Sequence, residues 1–137
     1  MGLPQVALAN HDGHVVCEHC LLAETAFARL RGLLGRSGLP SGEGMLLRPA
    51  SSIHTGFMRF AIDAVFLDQN DRVLKVAAEL PPWRMAACKG SRAVLELPAG
   101  EAERRGLEPG VSLTQVWRSA PGSTPARPPG PAAPRTG

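Results

Sequence analysis

The stretch SSIHTGFMRFAIDAVFLD, residues 51–68, sets chemically active side chains among strand-forming apolar ones. Over residues 61–67 the apolar pattern has a period of two. Ile62, Ala64 and Phe66 therefore share one face of a strand, and Asp63, Val65 and Leu67 share the other. Asp63 opens an otherwise apolar face. A carboxylate there needs a charged partner, hydrogen bonds or a wet strand end, because an uncompensated buried charge costs on the order of several kcal/mol. His54 and Arg59 are the nearest candidate partners in the chain.

Downstream, Asp68-Gln69-Asn70-Asp71 reads as a turn, and residues 72–80 alternate again. Leu74, Val76, Ala78 and Leu80 are expected inward, with Val73, Lys75, Ala77 and Glu79 outward, so that the two segments form an antiparallel hairpin. Pro81 and Pro82 stop this strand; residues 83–90 are expected to be a loop and residues 93–97 another strand. Pro98 then opens a short helix through Arg105. Gly106 is its expected left-handed C-terminal residue, and Leu107 the apolar residue that follows. Residues 108–110 turn the chain into a last strand, 111–117.

Upstream, residues 5–9 and 14–22 are β-prone and flank Asn10-His11-Asp12-Gly13, a hairpin turn by composition. Residues 24–34 place apolar side chains at Ala26, Phe27, Leu30, Leu33 and Leu34, the spacing of an amphipathic helix. Thr25 can cap its start, and Gly35 or Gly38 can end it. Arg29, Arg31 and Arg36 are expected on its polar side. After the Gly/Pro/Ser loop at 38–44, Met45, Leu46 and Leu47 read as a short strand. The expected fold class is α+β: a small β-rich domain with a mainly antiparallel curled sheet or partial barrel, one covering helix and one short helix.

The chain has 137 residues, enough for one domain with a core that needs no disulfide or metal. Residues 1–117 are expected to form that domain. Their acidic and basic residues balance, and the formal charge of +3 comes from Arg118, Arg127 and Arg135 in a Pro- and Gly-rich segment, 118–137, expected to be disordered. A basic excess confined to a tail, with no basic run interleaved with aromatics, argues against nucleic acid as a partner. No basic flank precedes an apolar run at the start, and no apolar run reaches membrane-spanning length, so a cytoplasmic protein without a membrane partner is expected. Three cysteines fit a reducing compartment better than a disulfide framework. Neither GxxxxGK[ST] nor GxGxxG is present, and no cofactor is expected.

Four motifs, RGLLGRSGLPSGEGMLL at 31–47, SIHT at 52–55, MRFAIDAVFLD at 58–68 and VLELPAGEAERRGLEPG at 94–110, occur in an order and at intervals that resemble the domain of unknown function 192 family. The resemblance covers roughly residues 14–114 and implies a compact β-rich α+β domain, usually standing alone. It implies no reaction, substrate or catalytic residues. The chain departs from the family pattern at Ala61, where Pro is common, and at Val111, where Asp is common.

Candidate function rests on side-chain chemistry. His54 with Asp63 as its orienting carboxylate makes an acid/base pair, the unit of proton transfer near neutral pH, and Thr55 supplies a hydroxyl beside it. In the competing reading Asp63 accepts backbone N–H groups or pairs with Arg59, His54 caps a bend, and neither has a catalytic part. Glu96, between Leu95 and Leu97, joins the pair if its strand lies beside residues 61–67; otherwise it points to solvent. Arg59 and Arg84, with Lys89, Arg92 and Trp83, offer forked hydrogen bonds and stacking to an anion, although basic residues on loops are more often solvated surface. Cys17 and Cys20 have CxxC spacing, with His11, His14 and Cys88 as further ligands in reach of the sequence. On a regular strand, however, positions i and i+3 face opposite ways, so no metal site is expected.

Classical nucleophile signatures are missing: Ser37 lacks the second glycine of GxSxG, and HExxH does not occur. These features favour a non-enzymatic binding or accessory module, with a groove beside His54, Met58, Asp63 and Trp83 for a small molecule or a peptide or protein segment. The alternative is a small cofactor-independent hydrolase or lyase that uses His54 and Asp63. Deletion of residues 119–137 is expected to leave the melting temperature unchanged, since the tail has almost nothing to bury; a clear drop in a thermal scan would overturn the disorder reading.

Overall fold

Asn10 folds the first turn onto its own side chain. Its Oδ1 accepts the N–H groups of Asp12 and His14, both at 3.0 Å, and Gly13 takes φ +84°. The computed structural model describes residues 3–25, 28, 29, 33, 36–56 and 58–117. Strands β1 (Gln5–Asn10) and β2 (Val15–Ala23) flank the Asn10 turn, as expected, and β3 (Glu43–Leu47) lies parallel to β2. The tail 118–137 and most of the helix expected at 24–34 fall outside the described residues. Within that span Ala28, Arg29 and Leu33 are helical, and Thr25 Oγ1 accepts the Ala28 N–H at 3.0 Å, the cap read from the sequence.

The remaining strands are β4 (Ser52–His54), β5 (Ile62–Leu67), β6 (Val73–Leu80), β7 (Met85–Ala87), β8 (Ala93–Pro98) and β9 (Leu113–Trp117). Of the nine strands among the described residues, seven form a mixed sheet in the order β6-β5-β8-β3-β2-β1-β9, antiparallel except for the β2–β3 pair. The sheet curls until its two edges meet around a bridge between Arg72 and Ser112, flanked by backbone hydrogen bonds from Val73 to Val111, Gly110 to Val73 and Leu113 to Asp71. It is the expected curled sheet, mixed and open and not a closed barrel. β4 and β7 make a separate two-stranded sheet. The segment 83–90 is thus not all loop: β7 lies within it, formed by a long-range partner that local sequence does not reveal.

Alternation along β5 and β8 divides the core. Val65, Leu67, Leu95 and Leu97 face the interior of the curl together with Val6, Leu8 and Leu113 from the far edge. Ile62, Ala64, Phe66 and Val94 face outward into a second apolar layer with Met45, Leu47, Leu33, Ile53 and Met58. Every residue of β5 is consequently buried.

Two departures from expected parity have one cause. In β6 the register slips between Phe66/Lys75 and Leu67/Val73, a bulge that turns Val73 into the core and leaves Leu74 exposed, the reverse of the simple alternation. In β2 a slip between Val6/Cys20 and Leu8/Cys17 brings both cysteines to the inner core, where their thiols contact each other.

The short helix Glu101–Arg104 begins later than Pro98, which instead ends β8. Its C-terminus follows the expected pattern. Gly106 takes φ +70°, its N–H donates to Glu103 O, and the Leu107 N–H donates to Ala102 O, with Leu107 buried against Ala102 in the inner core.

Asp63 joins these parts. It is fully buried on the inner face, where Oδ1 accepts the N–H groups of Glu79 (2.8 Å) and Gly100 (3.1 Å) and Oδ2 accepts that of Ala102 (2.9 Å). Glu79 lies in a second β6 bulge, at φ +50°, so one carboxylate fixes both that bulge and the start of the helix. Replacing Asp63 with Asn sets an amide donor against backbone donors and is expected to cost about 2–4 kcal/mol of unfolding free energy in a urea titration, with exposed His54→Ala within about 0.5 kcal/mol of wild type. Equal stabilities of wild type and Asp63→Asn would refute the structural role.

Candidate functional site

The two-stranded sheet lays Ile53 and Ala86, register partners, onto the outer apolar layer. His54 and Met85, the next partners, therefore face away from it, and Met85 is 74 % exposed. Just beyond β4, buried Thr55 latches the following loop. Its N–H donates to Arg84 O, its O accepts the Trp83 N–H, and its hydroxyl donates to Pro81 O at 2.6 Å while accepting the Arg84 N–H at 2.8 Å. Held this way, Trp83 takes a left-handed φ of +62° and is 64 % exposed. A non-glycine residue keeps such a conformation only where its surroundings over-determine it.

Gly56 floors the space between His54 and Trp83. A Cβ added there would lie 3.3 Å from His54 Nδ1 and 3.5 Å from Trp83 Cζ3. Beneath this face, on the outer side of β8, stands Glu96. It is completely buried, and its Oε1 accepts hydrogen bonds from both Nε and Nη2 of buried Arg29, at 2.7 and 2.6 Å. Arg29 Nη2 also contacts Met58 Sδ at 3.6 Å. Among the described residues Glu96 Oε2 has no hydrogen-bond partner. Burial pushes the Glu96 carboxyl above the usual carboxylate range, against the opposing pull of Arg29 and of nearby His54.

The structure therefore regroups the residues singled out by sequence. β5 and β8 are adjacent, as the Glu96 hypothesis required, but Ala64 is the register partner of Glu96 whereas Asp63 is opposite Leu97. Glu96 thus faces the outer layer and Asp63 the inner one. Asp63 accepts its three backbone N–H groups on the inner side, and His54 adds only the smallest of the electrostatic pulls on the Glu96 carboxyl. The solvent-facing alternative for Glu96 fails because both faces of β8 are covered. The Thr55 hydroxyl is engaged by the 81–84 loop.

Met58 borders the Arg29–Glu96 pair and Trp83 the groove, whereas Arg59 and Arg84 are exposed. The Arg84 guanidinium lies 3.4 Å from Trp83 O. Arg29, expected on the polar side of its helix, is buried. Its partner is 67 residues away in sequence, and helical periodicity carries no signal for a buried ion pair of that kind. Gly56 and Met85 also belong to the site, and only the β4–β7 pairing reveals them.

The cysteines offer no competing centre. Contact with Cys17, reinforced by burial, pushes the Cys20 thiol well above its ordinary value, which favours the inert protonated form. Among the described residues no group of three or more His, Cys, Asp or Glu side chains is placed to hold a metal, and no helix is long and apolar enough to cross a membrane.

Because folded Glu96 holds its proton to higher pH than it does in the unfolded chain, its proton-linked contribution is fully present below an unfolded pKa of about 4.3 and is lost as pH rises through the folded value. The stability of wild type relative to Glu96→Gln is expected to fall through that interval and then level off. A difference that grows with pH, measured by urea unfolding across the acid range, would contradict the assignment.

No curated protein matches the chain. Among solved structures, a protein of unknown function from Novosphingobium aromaticivorans DSM 12444 is similar at 28 % identity and a TM-score of 0.68, over 80 % of this chain and 83 % of that one. A Sinorhizobium meliloti 1021 protein described as a "putative transcription regulator" shares the fold at 21 % identity and a TM-score of 0.72, over 84 % and 96 % of the two chains. The family model described as "Uncharacterized ACR" matches residues 7–115. With that match spanning most of the sequence and nearly all of the curled sheet, the chain belongs to the domain of unknown function 192 family.

Proposed function

We propose that the protein is a binding module whose ligand, a small molecule or an extended peptide segment, lies across the face formed by His54, Trp83 and Met85. The carrying observation is Trp83, a large aromatic side chain kept exposed in a left-handed backbone conformation by the hydrogen bonds of a buried threonine. Burying its exposed surface would be favourable by roughly 1.5–3 kcal/mol, the scale for a large apolar side chain. A partner that covers the ring recovers that energy and meets a surface already ordered. His54 adds a polar contact at the edge, and Gly56 leaves room between the two rings.

A second reading is favoured by one specific observation. Glu96 is a carboxyl inclined to hold a proton and lies within electrostatic reach of His54. A hydrolase or lyase built on this site would therefore use His54 with Glu96, and not with Asp63, for proton transfer. Binding is preferred because Glu96 is wholly covered, whereas Trp83 and Met85 are already presented to solvent.

Native mass spectrometry of the protein purified gently from its own host is expected to show a bound small molecule or peptide. Trp83→Ala and Gly56→Ala, which strip the platform and fill the gap respectively, are expected to lose it while remaining folded. A bare wild-type chain, or a bound mass that survives in both variants, would refute the reading. Turnover of the bound molecule that disappears in both His54→Ala and Glu96→Gln would select the enzymatic one.

A further inference from the structure

We propose a second ligand site, on the opposite side of the sheet, at the open end of the curl: a cavity for a neutral amphipathic molecule with an apolar body and one carbonyl or hydroxyl oxygen. Strand register locates it. Gln115 on β9 is paired with Leu8 of β1, a core residue, so it stands on the inner face; even so, it is exposed. Leu22 and Leu46 are partners in the parallel β2–β3 pair and also belong to the inner face, but Leu22 is only half-buried. A polar residue on a core face and a core leucine left partly uncovered mark where the interior of the curl lacks filling.

The edges of the sheet account for the gap. They join around the Arg72–Ser112 bridge, where the Val73 N–H donates to Val111 O, the Gly110 N–H to Val73 O and the Leu113 N–H to Asp71 O, all near the first residues of β6 and β9; among the described residues no strand pairing closes the sheet beyond it. The resulting cavity measures about 520 Å³ and is lined by Leu22, Ala23, Leu46 and Pro49, with Glu24, Thr25, Arg48 and Gln115 as polar groups. That volume lies within the range of small-molecule sites, and a mostly apolar wall with a few converging polar groups is their usual make-up.

The chemistry selects the ligand class. Asp71 already pairs with the Arg48 guanidinium, so Arg48 offers N–H donors without an unbalanced charge. Glu24, also in the lining, opposes an anion. The Gln115 amide supplies a further neutral donor. An uncharged oxygen acceptor on an apolar body meets all three conditions, whereas a carboxylate or phosphate meets Glu24 and Asp71 as like charges.

The probe is 6-propionyl-2-dimethylaminonaphthalene, a neutral fluorophore with one carbonyl whose emission moves to the blue in apolar surroundings. Added to the full chain, it is expected to give a saturable blue-shifted signal. Gln115→Trp, which fills the mouth from an exposed edge-strand position, is expected to weaken binding about tenfold or more. Leu22→Trp is the second plug, read if the first variant is misfolded. Gly56→Ala, on the other face, is expected to leave the signal unchanged, which separates this site from the Trp83 groove. Absence of a saturable signal, undiminished affinity in a folded plug variant, loss in Gly56→Ala, or tighter binding of the anionic 1-anilinonaphthalene-8-sulfonate would each overturn the proposal.

Discussion

The Asp63 carboxylate, sealed inside the curl, accepts three backbone N–H groups from two segments that lie far from it in sequence. One donor belongs to the bulge at the end of β6 and two to the turn that starts the short helix. Taken out of water, a carboxylate is tolerable only when its lone pairs are met, and these N–H groups are themselves donors in need of acceptors. The two requirements cancel at one point. Through it the edge strand, the central strand and the helix that packs Ala102 and Leu107 into the inner core are held in one arrangement.

One rung away on the same ladder, Glu96 meets the same demand differently. Its partner is a guanidinium carried by a helical residue from outside the sheet, whose Nε and Nη2 both meet one carboxylate oxygen, Oε1. Both Asp63 oxygens are met, whereas among the described residues Glu96 Oε2 is not. Burial consequently outweighs Arg29 in setting the proton affinity of Glu96. The pair also anchors Arg29, and with it the helical residues at 28 and 29, onto the outer layer next to Met58. Adjacent strand positions thus divide the work: the inner carboxylate locks the fold, while the outer one lies under the face that presents His54 and Trp83.

Much of this arrangement was legible in the sequence, because it is local. The period of two in β5 assigns its two faces correctly, Asn10 and Gly13 specify the first hairpin, Thr25 caps the segment after β2, and Gly106 with Leu107 ends the short helix as its composition dictates. The errors fall where one residue is inserted into a ladder. A bulge inverts parity for everything beyond it, so Val73 and Leu74 exchange places and Cys17 meets Cys20. Other misses depend on partners far away: β7 exists because β4 lies beside it, and Arg29 is buried because Glu96 lies beneath it. Neither dependence leaves a periodic trace in its own segment. The rule that a carboxylate on an apolar face must be compensated did identify Asp63 as special; it could not say whether backbone or imidazole would answer it.

A sheet buried on both faces needs a cover on each, and this fold builds the two covers by different means. The inner face is covered by curling the sheet onto itself, a solution that runs out where the edges fail to close and leaves Gln115 exposed on a core face. The outer face is covered by a small separate sheet and by the Arg29 segment, whose free surfaces then become the surface of the protein. In a two-stranded sheet, Ile53 and Ala86 can be buried only if His54 and Met85 point away. The exposed platform is therefore the obligatory reverse side of the outer cover. What packing does not require is the left-handed Trp83 or the buried Thr55 that enforces it, and those two residues set this face apart from an ordinary solvated edge.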